Sequence, residues 1–225
     1  VSFWTATWLI ARKELAIELR TREILVTAGL FGLLVTVLTS LAFYLDNVQT
    51  QRIAPGVLWV AASFAGVLAM GRSWAREREA DAVRGLLLAP IPRASIYAGK
   101  ALGTLLLVYA IDLTLVPAVA ILFRLPLDAR ILWMTLLLAL GMLGYVAMGT
   151  LFAAMSVRSR ARDLMLSVVL FPLASPSLIA GVVATRQLLL GEPIGEIVAW
   201  VRILSAFDLM AIVSGLVLFE PLMSD

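Results

Sequence analysis

From Ile24 to Tyr44 the chain runs 21 residues without one charged side chain. At 1.5 Å per residue, a helix of that length measures about 30 Å, the thickness of a bilayer's hydrocarbon core. Lipid offers no hydrogen bonds, so such a run must satisfy its own backbone and folds as a spanning helix. Five more apolar stretches follow, at 53–71, 101–123, 131–155, 164–185 and 203–222. The second is short and opens on Ala54-Pro55-Gly56, which a span tolerates when flanking residues snorkel. Apolar residues make up 62% of 225 positions, with a mean hydropathy of +1.00, beyond the roughly half-apolar usage of soluble domains. An all-α membrane protein with six transmembrane helices in one domain is predicted.

The charges lie between these runs rather than on one soluble face. A net charge of +3 and a pI near 9.7 therefore do not point to nucleic acid. Thirteen of the 18 Lys and Arg fall on one side: in the N-terminal segment, in the loop after span two and in the loop after span four. Arg52, Arg124, Arg130, Arg186 and Arg202 fall on the other. That excess predicts a multi-pass chain with both termini in the cytoplasm. The first apolar run follows a charged segment and carries no small-residue cleavage site, so no removable signal peptide is expected. Cys and His are both absent. Disulfides, thiolate chemistry and the commonest ligands for zinc, copper and haem iron are thereby excluded.

Two segments are amphipathic. Over 3–22, Trp4, Trp8, Ala11, Leu15 and Leu19 recur at helical spacing, with Arg12, Lys13, Glu14, Glu18 and Arg20 largely off that face. This predicts an elbow helix along the cytoplasmic interface, tryptophans at headgroup depth; an ordinary charged extension is the plainer alternative. Gln187 to Trp200 reads as a short interfacial helix before the last span, broken near Gly191-Glu192-Pro193.

The cytoplasmic loop 72–93 is the longest. Its first half carries both signs, in Arg76, Glu77, Arg78, Glu79, Asp81 and Arg84, which can pair at i to i+3 or i+4 on a solvated helix. Its second half, Leu86-Leu87-Leu88-Ala89-Pro90-Ile91-Pro92, is apolar and ends in a proline stop. Two readings fit: a docking element with charge for register and apolar anchors for affinity, or a basic loop resting on anionic lipid.

Inside the spans, Asp112 and Asp208 have no Lys or Arg at comparable depth. Each is either a pathway or gating group, or a buried hydrogen-bond partner that locks packing. Pro172 and Pro176 should kink or break the fifth span, as a hinge, a cavity wall or a static bend. Small-residue pairs at Gly99 and Gly103, Ala62 and Gly66, and Gly149 and Ala153 permit close helix approach. Gly99-Lys100 lacks the upstream glycine and following Ser or Thr of a phosphate loop, so the chain is not itself an ATPase. No internal repeat is evident.

The stretch Arg52-Ile53-Ala54-Pro55-Gly56-Val57-Leu58-Trp59-Val60-Ala61-Ala62 resembles a motif of the haem exporter protein B family, CcmB, the permease of cytochrome c maturation. Gly85 to Pro92, Phe171-Pro172-Leu173 and Ser175-Pro176 extend the resemblance over essentially the whole chain. It implies an ABC-2-type permease in the bacterial inner (cytoplasmic) membrane, with an elbow helix, six spans and a cytoplasmic coupling helix between spans two and three. It further implies a permease homodimer bound to the ATPase subunit CcmA, together with CcmC, CcmD and the haem chaperone CcmE. On that pattern Arg76, Glu77, Glu79, Asp81, Arg84, Leu86, Leu87 and Leu88 form the ATPase-coupling element. ATP would then be hydrolysed on the partner, driving haem export or release of the loaded chaperone. Without His or Cys, and with no Met or Tyr placed as an axial pair, the chain itself is expected to bind no cofactor and to leave haem to its partners. A non-transporting scaffold that recruits the ATPase is the alternative, separated by whether Asp112 lines a water-accessible path.

Overall fold

The computed structural model describes residues 2–43, 47–79, 85, 88–156 and 162–224, with side chains throughout except at 47, 48, 78, 79, 156, 162–167, 223 and 224. Seven helices make up the described residues and no strand occurs among them: α1 (Phe3–Thr21), α2 (Glu23–Ala42), α3 (Asn47–Glu79), α4 (Arg93–Leu122), α5 (Ala129–Ser156), α6 (Arg162–Leu190) and α7 (Ile194–Ser224). Six contain stretches long and apolar enough to cross a membrane: Glu23–Ala42, Gln49–Glu77, Arg93–Leu122, Ala129–Met155, Val168–Leu190 and Ile194–Leu222. The shorter α1 is capped by the Ser2 hydroxyl, which accepts from the Thr5 N–H, and it meets α2 at Arg22, a left-handed corner with φ 55°.

Helices α3, α4 and α5 are the centre of the bundle. α4 packs against α1, α2, α3, α5 and α7, while α5 packs against α3, α4, α6 and α7. Lipid is as apolar as leucine, so packing and interhelical hydrogen bonds, rather than escape from water, hold such a bundle together. The aromatic residues of the core show it. Trp59 Nε1 on α3 donates to Thr185 Oγ1 on α6 at 3.0 Å. Tyr145 on α5 donates to the Ser63 carbonyl of α3 at 3.0 Å. Tyr97 and Tyr109 on α4 donate to the Ala147 and Ala139 carbonyls of α5 at 2.9 and 2.7 Å. Trp59, Tyr97 and Tyr145 bury their rings, Tyr109 is half-buried, and each ties one helix to its neighbour.

Three expectations change. The helices that carry the second and third spans reach beyond 53–71 and 101–123: α3 continues through Arg72, Arg76 and Glu77, and α4 starts at Arg93, ahead of Lys100. A sequence reading stops a span at its first charge; here the charges are matched across helices, so the helices carry them inside. Residues 187–200 form no separate interfacial helix. Residues through Leu190 finish α6, Gly191 turns the chain at φ 75°, and α7 begins at Ile194. Finally, of the kink or break expected at Pro172 and Pro176, the break does not occur: α6 is one helix through both. Pro176 lacks the N–H that would bond the Pro172 carbonyl, and the Ser175 hydroxyl donates to that carbonyl at 2.7 Å instead.

Candidate functional site

At the end of the bundle where α3 finishes and α4 begins, acidic and basic side chains from four helices meet. The amine of Lys100, with its side chain fully buried, lies 3.0 Å from Glu14 Oε1 and 3.2 Å from Glu77 Oε1. It also donates to the Ser73 carbonyl at 3.3 Å, and it stands 4.9 Å from the centre of the Trp74 ring, within cation–π range. The Ser73 hydroxyl donates to Glu14 Oε2 at 3.1 Å. Glu77 is paired in addition with Lys13, and Arg76 with Glu18. The other Glu18 oxygen accepts from the Leu25 N–H at 2.8 Å, satisfying a free donor of the first turn of α2. Glu23 closes the cluster against Arg72 at 3.3 Å and Arg76 at 3.7 Å.

Lys13, Arg72, Arg76 and Lys100 face Glu14, Glu18, Glu23 and Glu77, so the ion-paired charges of the cluster balance. Such balance matters where Glu14, Glu18, Glu77 and Lys100 are all nearly sealed from solvent. Desolvating an ion costs several kcal/mol, and only close partners with hydrogen bonds offset it.

Local sequence explains the geometry. Glu14 and Glu18 are one helical turn apart and share a buried face with Thr7, Ile10 and Ala11. That face fits α4 because Gly99 and Gly103 present no side chain to it. A Cβ at Gly99 would lie 2.6 Å from Ile10 Cβ and 2.8 Å from the Thr7 carbonyl. The small-residue pair around Lys100 is therefore the seat of α1, and the close approach delivers Glu14 to the Lys100 amine.

Sequence reasoning put Arg76 and Glu77 on a solvated helix with pairing to near neighbours. The structure instead turns them inward, with partners on α1, α2 and α4. Of the remaining coupling residues, Leu88 is described and is 85% exposed. Asp81, Arg84, Leu86 and Leu87, and the side chain of Glu79, lie outside the described residues. Sequence reasoning set Lys13, Glu14 and Glu18 on the polar side of α1 and considered Lys100 only as part of a phosphate loop, and it did not note Ser73. The local traces were a lysine set between two glycines four apart and an acidic pair one turn apart, neither of which tells a buried charge from a solvated one.

The two membrane carboxylates sit deeper. Asp112 on α4 and Asp208 on α7 are both 4% exposed. Asp208 Oδ1 accepts from the Gly144 N–H of α5 at 2.9 Å. Neither oxygen of Asp112 has a hydrogen-bond partner among the described residues. Asp208 thus ties α7 to α5, whereas Asp112 has no such tie among the described residues. Pro172 and Pro176 lie on α6, apart from the ion cluster, and Phe171 beside them packs on Phe64 and Tyr145.

Comparison with known proteins adds a family. Residues 5–219 match the family model described as CcmB protein. The chain is similar to the heme exporter protein B of Paracoccus denitrificans, 34% identical over 158 residues that cover 70% of this chain and 72% of that one. It is also similar to the heme exporter protein B of Rhodobacter capsulatus (33% identity; 60% and 62% covered) and of Bradyrhizobium diazoefficiens (28% identity; 94% of each chain covered).

Proposed function

The chain belongs to the CcmB family, and from that premise we propose that it is the multi-pass permease component of a haem exporter driven by ATP hydrolysis on a partner subunit. The observation that carries the coupling is the position of the ion cluster. Arg76 and Glu77 end α3 just before the segment that leads to α4, and Lys100 lies just after that segment. A push on the segment between Glu79 and Arg93 is transmitted through both flanks at once. Both flanks are ion-paired to Glu14 and Glu18 or to Lys13 of α1, so α1, α3 and α4 respond as one unit.

In this reading the docking surface is the apolar corner around Leu88, and the inward-facing Arg76 and Glu77 carry the force rather than make the contact. The ATPase partner is CcmA, the permease pairs with a second copy, and CcmC, CcmD and CcmE receive the movement on the haem side. Haem is cargo, ligated by those partners. The membrane is the bacterial inner one, with both termini on the ATPase side, as the excess of basic residues on that side supports.

The test uses Leu88→Asp in the assembled complex. Leu88 is exposed, so the bundle should fold, while a carboxylate at an apolar contact should weaken it by 10-fold or more, on the order of a hot-spot loss. ATPase retention on purification and ATP turnover by the complex are the measurements. A Leu88→Asp complex that keeps its ATPase and full activity would remove the coupling assignment.

A further inference from the structure

Helix α1 sorts its charges by sign. Glu14 and Glu18 are 3% and 0% exposed and are held by Lys100 and Arg76 inside the bundle. Arg12 and Arg20, and Arg22 at the corner after α1, are exposed and have no ion-pair partner among the described residues. Trp4, Trp8, Leu9 and Leu19 are exposed beside them. Composition does not foretell this, since α1 itself holds three basic and two acidic residues. Folding makes the difference. It takes both carboxylates inward and leaves an outer face with apolar and aromatic bulk, guanidinium groups and no exposed carboxylate.

We propose that the outer face of α1, with the Arg22 corner, is a binding surface for the phosphate headgroups of anionic phospholipids. A guanidinium grips phosphate through paired N–H donors. Exposed tryptophans settle at headgroup depth, where those phosphates are. The glycine seat on α4 holds α1 against a spanning helix, so its outer face stays beside lipid rather than out in water. Each basic residue near an anionic membrane surface strengthens binding on the order of five-fold. Glu14 and Glu18 are neutralised in the bundle, and the partly exposed Glu23 beside Arg22 is paired with Arg72 and Arg76, which leaves Arg12, Arg20 and Arg22 to set the sign. The inference rests on the chain spanning a membrane and is independent of the ATPase-coupling reading.

The full chain contains no cysteine, so Ala16→Cys, at an exposed position of α1, gives a single fluorophore site. Reconstitute the labelled chain in phosphatidylcholine nanodiscs. Then measure quenching by phosphatidylglycerol or phosphatidylcholine bearing the same spin label high on the acyl chain, at equal mole fraction. Phosphatidylglycerol should quench several-fold more strongly at low salt. The preference should shrink as salt rises, and it should vanish in R12Q/R20Q/R22Q. Single variants Arg12→Gln and Arg20→Gln, expected to lower the preference a few-fold each, serve if the triple variant fails to fold. Equal quenching by both lipids on the native chain, or an unchanged preference in the variants, would overturn the proposal.

Discussion

The carboxylate of Asp208 on α7 takes the backbone N–H of Gly144 on α5 at 2.9 Å, a contact possible only because residue 144 has no side chain. A Cβ there would lie 2.3 Å from Asp208 Oδ1 and 2.9 Å from Asp208 Cα. Gly144→Ala should therefore force α5 and α7 apart and destabilise the bundle by about 1–3 kcal/mol, the usual cost of overpacking. Asp208→Asn keeps an acceptor and should be the milder change. Reversible unfolding in mixed micelles of dodecylmaltoside and SDS measures both, and an alanine variant as stable as the native chain would contradict the geometry.

Removing the buried lysine should be costly in a different way. Lys100→Met leaves Glu14 buried without its cation, although Glu77 retains Lys13. Breaking one partner of a buried pair costs about 3–5 kcal/mol. Adding Glu14→Leu to Lys100→Met should recover part of that loss, because no unmatched charge then remains. A double variant less stable than Lys100→Met alone would show that Glu14 draws its stability from elsewhere.

The glycine seat can be tested through α1 itself. Gly99→Ala should lift α1 from α4 at a cost of about 1–3 kcal/mol, since Ile10 and the Thr7 carbonyl occupy the space. A cysteine at the buried Thr7, unique in this chain, should react with a maleimide several-fold faster in the Gly99→Ala background. This reaction is the readout; an unchanged rate would mean that α1 is held without the close approach.

A fourth test concerns Trp59. Its Nε1 has the Thr185 hydroxyl as acceptor, deep between α3 and α6. Thr185→Val preserves shape and strands that donor, which should cost about 1–3 kcal/mol. Thr185→Ser keeps the acceptor and should cost less. The same mixed-micelle unfolding reports the difference, and equal stability of the two variants would count against the hydrogen bond.

Much of this architecture is local information. A run such as Ile24 to Tyr44 needs only its own length and apolarity to become a span, because the bilayer sets the length and forbids unsatisfied backbone. The amphipathic period of residues 3 to 19 likewise marks α1. For the same reason the sequence suggested ends at Gly71 and Ala101, beyond which the helices themselves run on. A charge looks like the end of a buried helix until its partner is seen. Pro172 and Pro176 read as a kink or a break because a missing N–H is visible in sequence, whereas the Ser175 hydroxyl that answers one of them needs a conformation to reach it.

The sequence by itself determined six spans, an all-helical chain and a side rich in Lys and Arg, since each follows from the composition of short segments. Only the tertiary structure decided which charges are inside. Glu18 meets Arg76 across 58 residues, Lys13 meets Glu77 across 64, and Glu14 meets Lys100 across 86. No periodicity within α1 separates a glutamate bound for a buried lysine from one bound for water. Gly99 and Gly103 settle that by letting α1 come close enough for the buried charges to offset each other's loss of solvent.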